Sequence, residues 1–198
     1  MTARVRCRDQ GGRSADVGRR RVAPGPITIE VGIEGNHSLP TSVLATCWAG
    51  WAEATFEDPA CAITVLEDEI DASARAVSRF YLDAGFAAVR QEEPRIELSD
   101  DRRRLSVTFV VDEGARHRIG RVEVRGPMAW SSWSIPGLRE GDWFCRRRLE
   151  AGIAALRRSW ERTTGKRVGV AVEVSADRRA ATLDLSIVGR PERAPMLS

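Results

Sequence analysis

The chain has 198 residues, 42% hydrophobic and 30% charged; at about 150 residues per domain, that allows one large domain or two small ones. No stretch approaches the roughly 18 consecutive apolar residues of a membrane-crossing helix, so none is expected here. Its formal charge of +3 is uneven: residues 1–26 hold seven Arg against two Asp, and residues 27–198 sum to −2, which argues against a broad phosphate-binding face on the folded part.

Residues 1–26 are rich in Arg, Gly and Ser with no hydrophobic period, the composition of a disordered tail. Arg19-Arg20-Arg21 is followed by Val22-Ala23-Pro24-Gly25-Pro26, not by the apolar core of a secretory signal, so no export signal is expected in this stretch.

From Ile27 the chain becomes periodic. Ile27, Ile29, Val31 and Ile33 alternate with polar residues up to Glu34-Gly35-Asn36, which predicts a strand and a turn. Leu39 to Trp51 places Leu39, Val43, Leu44, Cys47, Trp48 and Trp51 at helical spacing, with Pro40 in the first turn. A second helix is predicted from about Thr64, whose spacing to Glu67 fits a capping box, through Leu66, Ile70, Ala74, Val77 and Tyr81 to Gly85. Two strands come next, Ala88 to about Ile96 and Leu105 to Val111, joined at Ser99-Asp100-Asp101-Arg102.

After Asp112-Glu113-Gly114 the order begins again. Ile119, Val122 and Val124 predict a strand, Trp130 to Glu140 a short irregular or helical stretch, and Leu149, Ile153, Leu156 and Trp160 a helix. Val168, Val170, Val172 and Val174 alternate, Ala176-Asp177-Arg178 turns, and Leu183, Leu185 and Ile187 alternate again. Strand, helix, helix, strand, strand is therefore used twice, and such recurrence outweighs any local motif.

Catalytic chemistry finds little support. With two His and one Tyr, acid–base work would fall to carboxylates. His37 and His117 have no Ser or Cys placed near them by a local signature, and exposed loop histidines are the simpler reading. Glu67-Asp68-Glu69 suits the first turn of a helix, and Arg102-Arg103-Arg104 and Arg146-Arg147-Arg148 suit solvated faces. Trp130 and Trp133 are assigned to core filling. The cysteines at 7, 47, 61 and 145 form no Cys-x-x-Cys pair, so neither a zinc site nor any other metal or cofactor is expected. Cys47 and Cys61 are close enough in sequence to bridge in an oxidising compartment; the alternative is two small buried thiols.

These residues resemble POTRA domains. The resemblance is carried by Ile33-Glu34-Gly35-Asn36, by Phe80-Tyr81-Leu82-Asp83-Ala84-Gly85-Phe86 at a helix end, and by Val110-Val111-Asp112-Glu113-Gly114 after a strand. The junction from Glu113 to Gly126 is similar to links between successive POTRA domains in outer-membrane assembly factors of the BamA/TamA type, and Gly141-Asp142-Trp143-Phe144 to the turn before a second helix. The second repeat departs from the pattern at Trp160 and Gly165-Lys166.

The resemblance implies an α+β chain of two consecutive POTRA-like β-α-α-β-β modules, 27–118 and 119–190, each a three-stranded mixed sheet covered by two helices, with a tail at 191–198. It implies a non-enzymatic periplasmic module at the inner side of the outer membrane, anchored only through a β-barrel not present in these 198 residues. Its partners would be unfolded outer-membrane protein clients or assembly-machinery subunits, not nucleic acid. Pro94 removes a ladder donor and so favours an edge for Ala88–Glu93. An open edge accepts an extended partner segment through backbone hydrogen bonds. The expected partner-binding edges are Ala88, Val89, Arg90, Gln91, Glu92 and Glu93 in the first module and Val168, Val170, Val172 and Val174 in the second. Charged Arg90, Glu92 and Glu93 guard the first edge, which favours the second as the acceptor. The alternatives are paired modules of a two-partner secretion transporter or division protein and, from another class, a small α+β nucleic-acid binder using the Arg-rich tail.

Overall fold

The computed structural model describes residues 4–5, 26–52, 54–56, 59–126, 134–177 and 179–191, the side chains of 4–5, 59–65 and 191 excepted. They divide into two compact units: one takes residues up to Ser78 and Arg90–Asp112, the other Arg79–Val89 and the chain from Glu113 onward.

Two-residue strands β1 (Arg4–Val5) and β3 (Thr55–Phe56) run parallel in the first unit. β1 falls where composition predicts no structure; a backbone ladder needs no apolar side-chain period. The rest of residues 1–25 lies outside the described residues.

The main sheet of this unit is built on β6 (Arg104–Asp112), whose Leu105, Val107, Phe109 and Val111 are all buried, as their period of two requires. β2 (Thr28–Glu34) lies parallel on one side, with Ile29 opposite Leu105 and Ile33 opposite Phe109. The other side of β6 is shared by β4 (Arg90–Gln91) and β5 (Arg95–Leu98), both antiparallel to it. The strand predicted over Ala88–Ile96 is thus broken. Glu92 still donates its N–H to the Val110 carbonyl at 3.1 Å, but Pro94 has no N–H to continue the ladder. The predicted hairpin turn stands at residues 99–103, where the Asp101 carboxylate accepts the Ser99 hydroxyl at 2.6 Å and the Arg103 N–H at 3.1 Å. Those bonds, that of Ser99 first, hold Asp101 below the ordinary carboxylate range.

Two helices differ from their predicted spans. The first is only one turn, α1 (Thr41–Leu44), continued by a 3₁₀ turn at Ala45–Cys47. Thr41, Val43 and Thr46 are β-branched and support a longer helix poorly. Leaving the helix lets Trp48 stack on Phe109, with centroids 5.4 Å apart. α2 (Pro59–Ala84) begins five residues before Thr64, because Pro59 occupies the first helical position, where the missing N–H costs little. Thr64 is therefore no cap, and Glu67-Asp68-Glu69 stands in the third turn as an exposed face. Buried Ser73 on α2 accepts the Trp51 indole N–H and donates to the Cys47 carbonyl, each at 2.9 Å.

In the second unit, β9 (Thr182–Pro191) is central, with β7 (Arg118–Arg125) parallel on one side and β8 (Val168–Asp177) antiparallel on the other. α3 (Arg146–Thr164) covers one face through Leu149, Leu156 and Trp160, packed with Ile119, Phe144, Val168, Leu183, Leu185 and Ile187. It ends at Gly165, whose φ of +66° forms the left-handed cap. Of the stretch predicted over Trp130–Glu140, residues 134–140 are turns, and Trp130 and Trp133 lie outside the described residues. This unit therefore shows one covering helix of its own among the described residues, where two were expected. The end of α2 adds to it: Gly85, with φ of +103°, stops that helix, and the Tyr81 hydroxyl donates to buried Glu113 at 3.0 Å.

Candidate partner-binding edges

Along β8, Val168 is buried, Val170 and Val172 are half-buried against the core, and Val174 is 55% exposed. These alternate residues face α3, so Gly169, Ala171, Glu173, Ser175 and Asp177 face outward. Each is paired across to β9: Gly169 with Arg190, Ala171 with Val188, Glu173 with Ser186, Ser175 with Asp184 and Asp177 with Thr182. No other described strand pairs with β8. Beyond the Val168 N–H, which the Glu161 carboxylate accepts at 3.3 Å, no described strand covers the other side of this ten-residue strand, and its backbone groups can receive a further strand.

The outer face carries its charges in order. A shallow recess of about 370 Å³ near the far end of β8 includes Glu123, Glu173, Ser175, Asp184 and Ser186 in its lining. Glu123 is engaged by Arg121 at 3.8 Å and Arg125 at 3.3 Å. Asp184 accepts the Arg121 N–H at 2.7 Å, filling the irregularity that shifts the β7–β9 register between Ile119 and Val122. Glu173 makes no ion pair among the described residues, and neither does Arg190 at the opposite end.

The first unit presents a weaker edge. Only Arg90 and Gln91 of the residues expected there form β4; Ala88 and Val89 precede it in a turn, Glu92 bonds to Val110, and Glu93 is exposed. Beyond Pro94, β5 exposes Ile96 to 42%, a residue at the end of the predicted strand that periodicity does not single out. β2 forms the opposite border of this sheet; its alternation alone does not tell an edge from a centre. Nor did the valine run mark Glu173 or Arg190, because their importance depends on which side of β8 is open.

His37 is exposed, as expected, but His117 is only 2% exposed. Its N–H donates to the Gly85 carbonyl at 2.8 Å and its carbonyl accepts from Phe144 at 3.0 Å, so backbone bonding on both sides draws the junction inward. Cys47 is a free, half-buried thiol whose pKa is raised by burial; the Cys61 side chain lies outside the described residues. In the basic runs, Arg104 pairs with Glu30 at 3.2 Å, Arg146 with Glu150 at 2.7 Å and Arg148 with Asp142 at 3.3 Å. The Glu150 hydrogen bond is the main reason that the Arg146 pKa is raised. Among the described residues no cluster of His, Cys, Asp and Glu could hold a metal ion, and no helix is long and apolar enough to cross a membrane.

Residues 26–114 match the model of the POTRA family, described as "Surface antigen variable number repeat". The chain is also similar to the crystal structure of Haemophilus influenzae BamA POTRA3-5, with a TM-score of 0.58 and 17% identity over 89% of this chain and 70% of that one. A second similar structure is BamA from Haemophilus ducreyi lacking POTRA domains 1-3, with a TM-score of 0.56 and 13% identity over 85% of this chain and 30% of that one. Residues 26–114 thus match the POTRA family, and the chain as a whole has the α+β fold of consecutive POTRA domains such as those of BamA.

Proposed function

We propose that this chain is a non-enzymatic periplasmic module with two POTRA-like domains, 27–118 and 119–190. It receives unfolded outer-membrane protein clients or assembly-machinery subunits by strand addition on β8. The observation that carries this is that β8 pairs with β9 alone among the described strands, with valines on its inner face and Val174 left 55% exposed beyond the cover of the core. An extended segment laid along β8 would complete the ladder and cover that surface, and backbone bonding makes few demands on sequence. Such tolerance suits a receiver of many chains. The POTRA match of residues 26–114 and the BamA likeness of the fold support the periplasmic setting.

The test is binding of an extended peptide with alternating valines to the whole chain, followed through backbone amide signals. Shifts should map to β8, and Val170→Pro, with its thermal melt as the check on folding, should abolish them while Arg90→Pro has less effect. Shifts confined to β2, β4 or β5 would overturn the assignment to β8.

A further inference from the structure

Resting on the strand-addition reading above, we infer that β8 selects extended segments by charge order. The preferred segment runs antiparallel to β8, carries a cationic residue beside Glu173, and places an anionic residue four positions later, beside Gly169 and within reach of Arg190.

The register follows from the pleat. An added strand must put apolar side chains on the α3 side, next to Val170, Val172 and Val174, so its alternate residues share the outer face with Gly169, Ala171, Glu173 and Ser175. Directly adjacent side chains on one face lie about 5 Å apart at Cβ, close enough for an ion pair with Glu173. Glu173 has no ion-pair partner among the described residues, whereas Glu123 is already engaged by two arginines and Asp184 by the Arg121 N–H. An incoming cation therefore meets one carboxylate ready to receive it.

At the other end, Arg190 is exposed and sits across from Gly169, which has no side chain to stand between it and the open edge. A strand added to β8 would lie two spacings from β9, about 10 Å, which an Arg and a Glu side chain span together. Glu173 and Gly169 are four residues apart on the same face. Antiparallel addition has the better hydrogen-bond geometry and extends the β8–β9 pairing. An incoming chain then meets Glu173 first and Arg190 second, giving the order cation, apolar, polar, apolar, anion.

Three labelled peptides test this on the whole chain: Thr-Arg-Val-Thr-Val-Glu-Thr, the same peptide with Arg and Glu exchanged, and one with Gln at both positions. The first should bind about tenfold tighter than the exchanged peptide, with the Gln peptide between them, from two favourable pairs becoming two repulsive ones. The difference should shrink at high salt. In the doubly exchanged variant Glu173→Arg, Arg190→Glu the preference should reverse; both side chains are exposed, and a melt confirms the fold. Equal binding of all three peptides at β8 would leave strand addition standing and overturn the charge selection. A preference for the exchanged peptide would overturn the antiparallel register, and no binding by any peptide would overturn strand addition itself.

Discussion

The Asp83 carboxylate accepts the backbone N–H of Arg147 at 2.9 Å, capping the first turn of α3 from 64 residues earlier in the chain. Its other oxygen meets the Arg146 guanidinium at 3.4 Å. The residue that stands in the N-cap position, Cys145, makes no side-chain cap bond. Asp83 therefore does for α3 what a Ser or Asp at the cap itself does for an ordinary helix: it satisfies a first-turn donor and adds negative charge at the positive end of the dipole.

Asp83→Ala should accordingly lower stability by about 1 kcal/mol, the usual cost of losing a cap. Asp83→Asn should lose less, since an amide oxygen still accepts. Adding Cys145→Asp to the Ala variant should recover part of the loss by restoring a cap locally. Denaturant unfolding measures all three. A neutral Asp83→Ala would show that the contact does not hold the helix.

Tyr81 gives a prediction in pH. Burial, and after it the hydrogen bond to and charge of Glu113, raise its pKa well above the ordinary value of about 10. Folding therefore retains a phenolic proton that the unfolded chain gives up. The unfolded state binds fewer protons once pH exceeds about 10, so stability is complete below that pH and falls as pH rises above it. As Tyr81 is the one tyrosine of the chain, comparison with Tyr81→Phe isolates the effect. The variant should be less stable at neutral pH by about 2 kcal/mol, the order of a lost hydrogen bond to a charged acceptor, but its stability should fall less between about pH 9 and pH 11. Parallel profiles for the two proteins would remove Tyr81 as the cause.

What could be read in the sequence was whatever one covered face writes into a period. Leu105, Val107, Phe109 and Val111 alternate because β6 buries one side, and Leu149, Leu156 and Trp160 recur because α3 covers a sheet. Contacts made by distant backbone leave no such trace. Asp83 as the cap of α3, His117 drawn in by Gly85 and Phe144, and Trp48 leaving its helix for Phe109 each depend on a partner from another element. The candidate edge divides in the same way. Alternation told which valines face the helix, and Pro94 pointed to a border. That cover fails at Val174, and that Glu173 makes no ion pair among the described residues, are facts of assembly.

Gly35 should tolerate no side chain. Its φ is +81°, a region L-residues seldom adopt, and a Cβ there would overlap the carbonyl oxygen of Val111 on β6. Backbone strain costs of order 1–3 kcal/mol and the collision adds to it, so Gly35→Ala should destabilise the first unit by about 3 kcal/mol. The conformation and the neighbour can be separated: Gly141, with φ of +84°, has open space around it, and Gly141→Ala should cost only the strain. Equal losses at the two sites would mean that the Val111 contact contributes nothing.

Gly189 tests the core of the second unit. Trp160 is fully buried, and its ring lies so close over Gly189 on β9 that a Cβ would overlap it, although the backbone at Gly189 is not in the left-handed region. The demand for glycine here is thus purely one of space. Gly189→Ala should cost about 1–3 kcal/mol through overpacking, and Trp160→Phe a similar amount through the cavity it leaves. The smaller ring frees the volume that the new methyl needs, so the double variant should be more stable than the sum of the single losses predicts, by about 1 kcal/mol. Thermal melts of the four proteins close the cycle. Simple additivity would show that the two residues do not share that space, and that Gly189 is required for some reason other than the Trp160 ring.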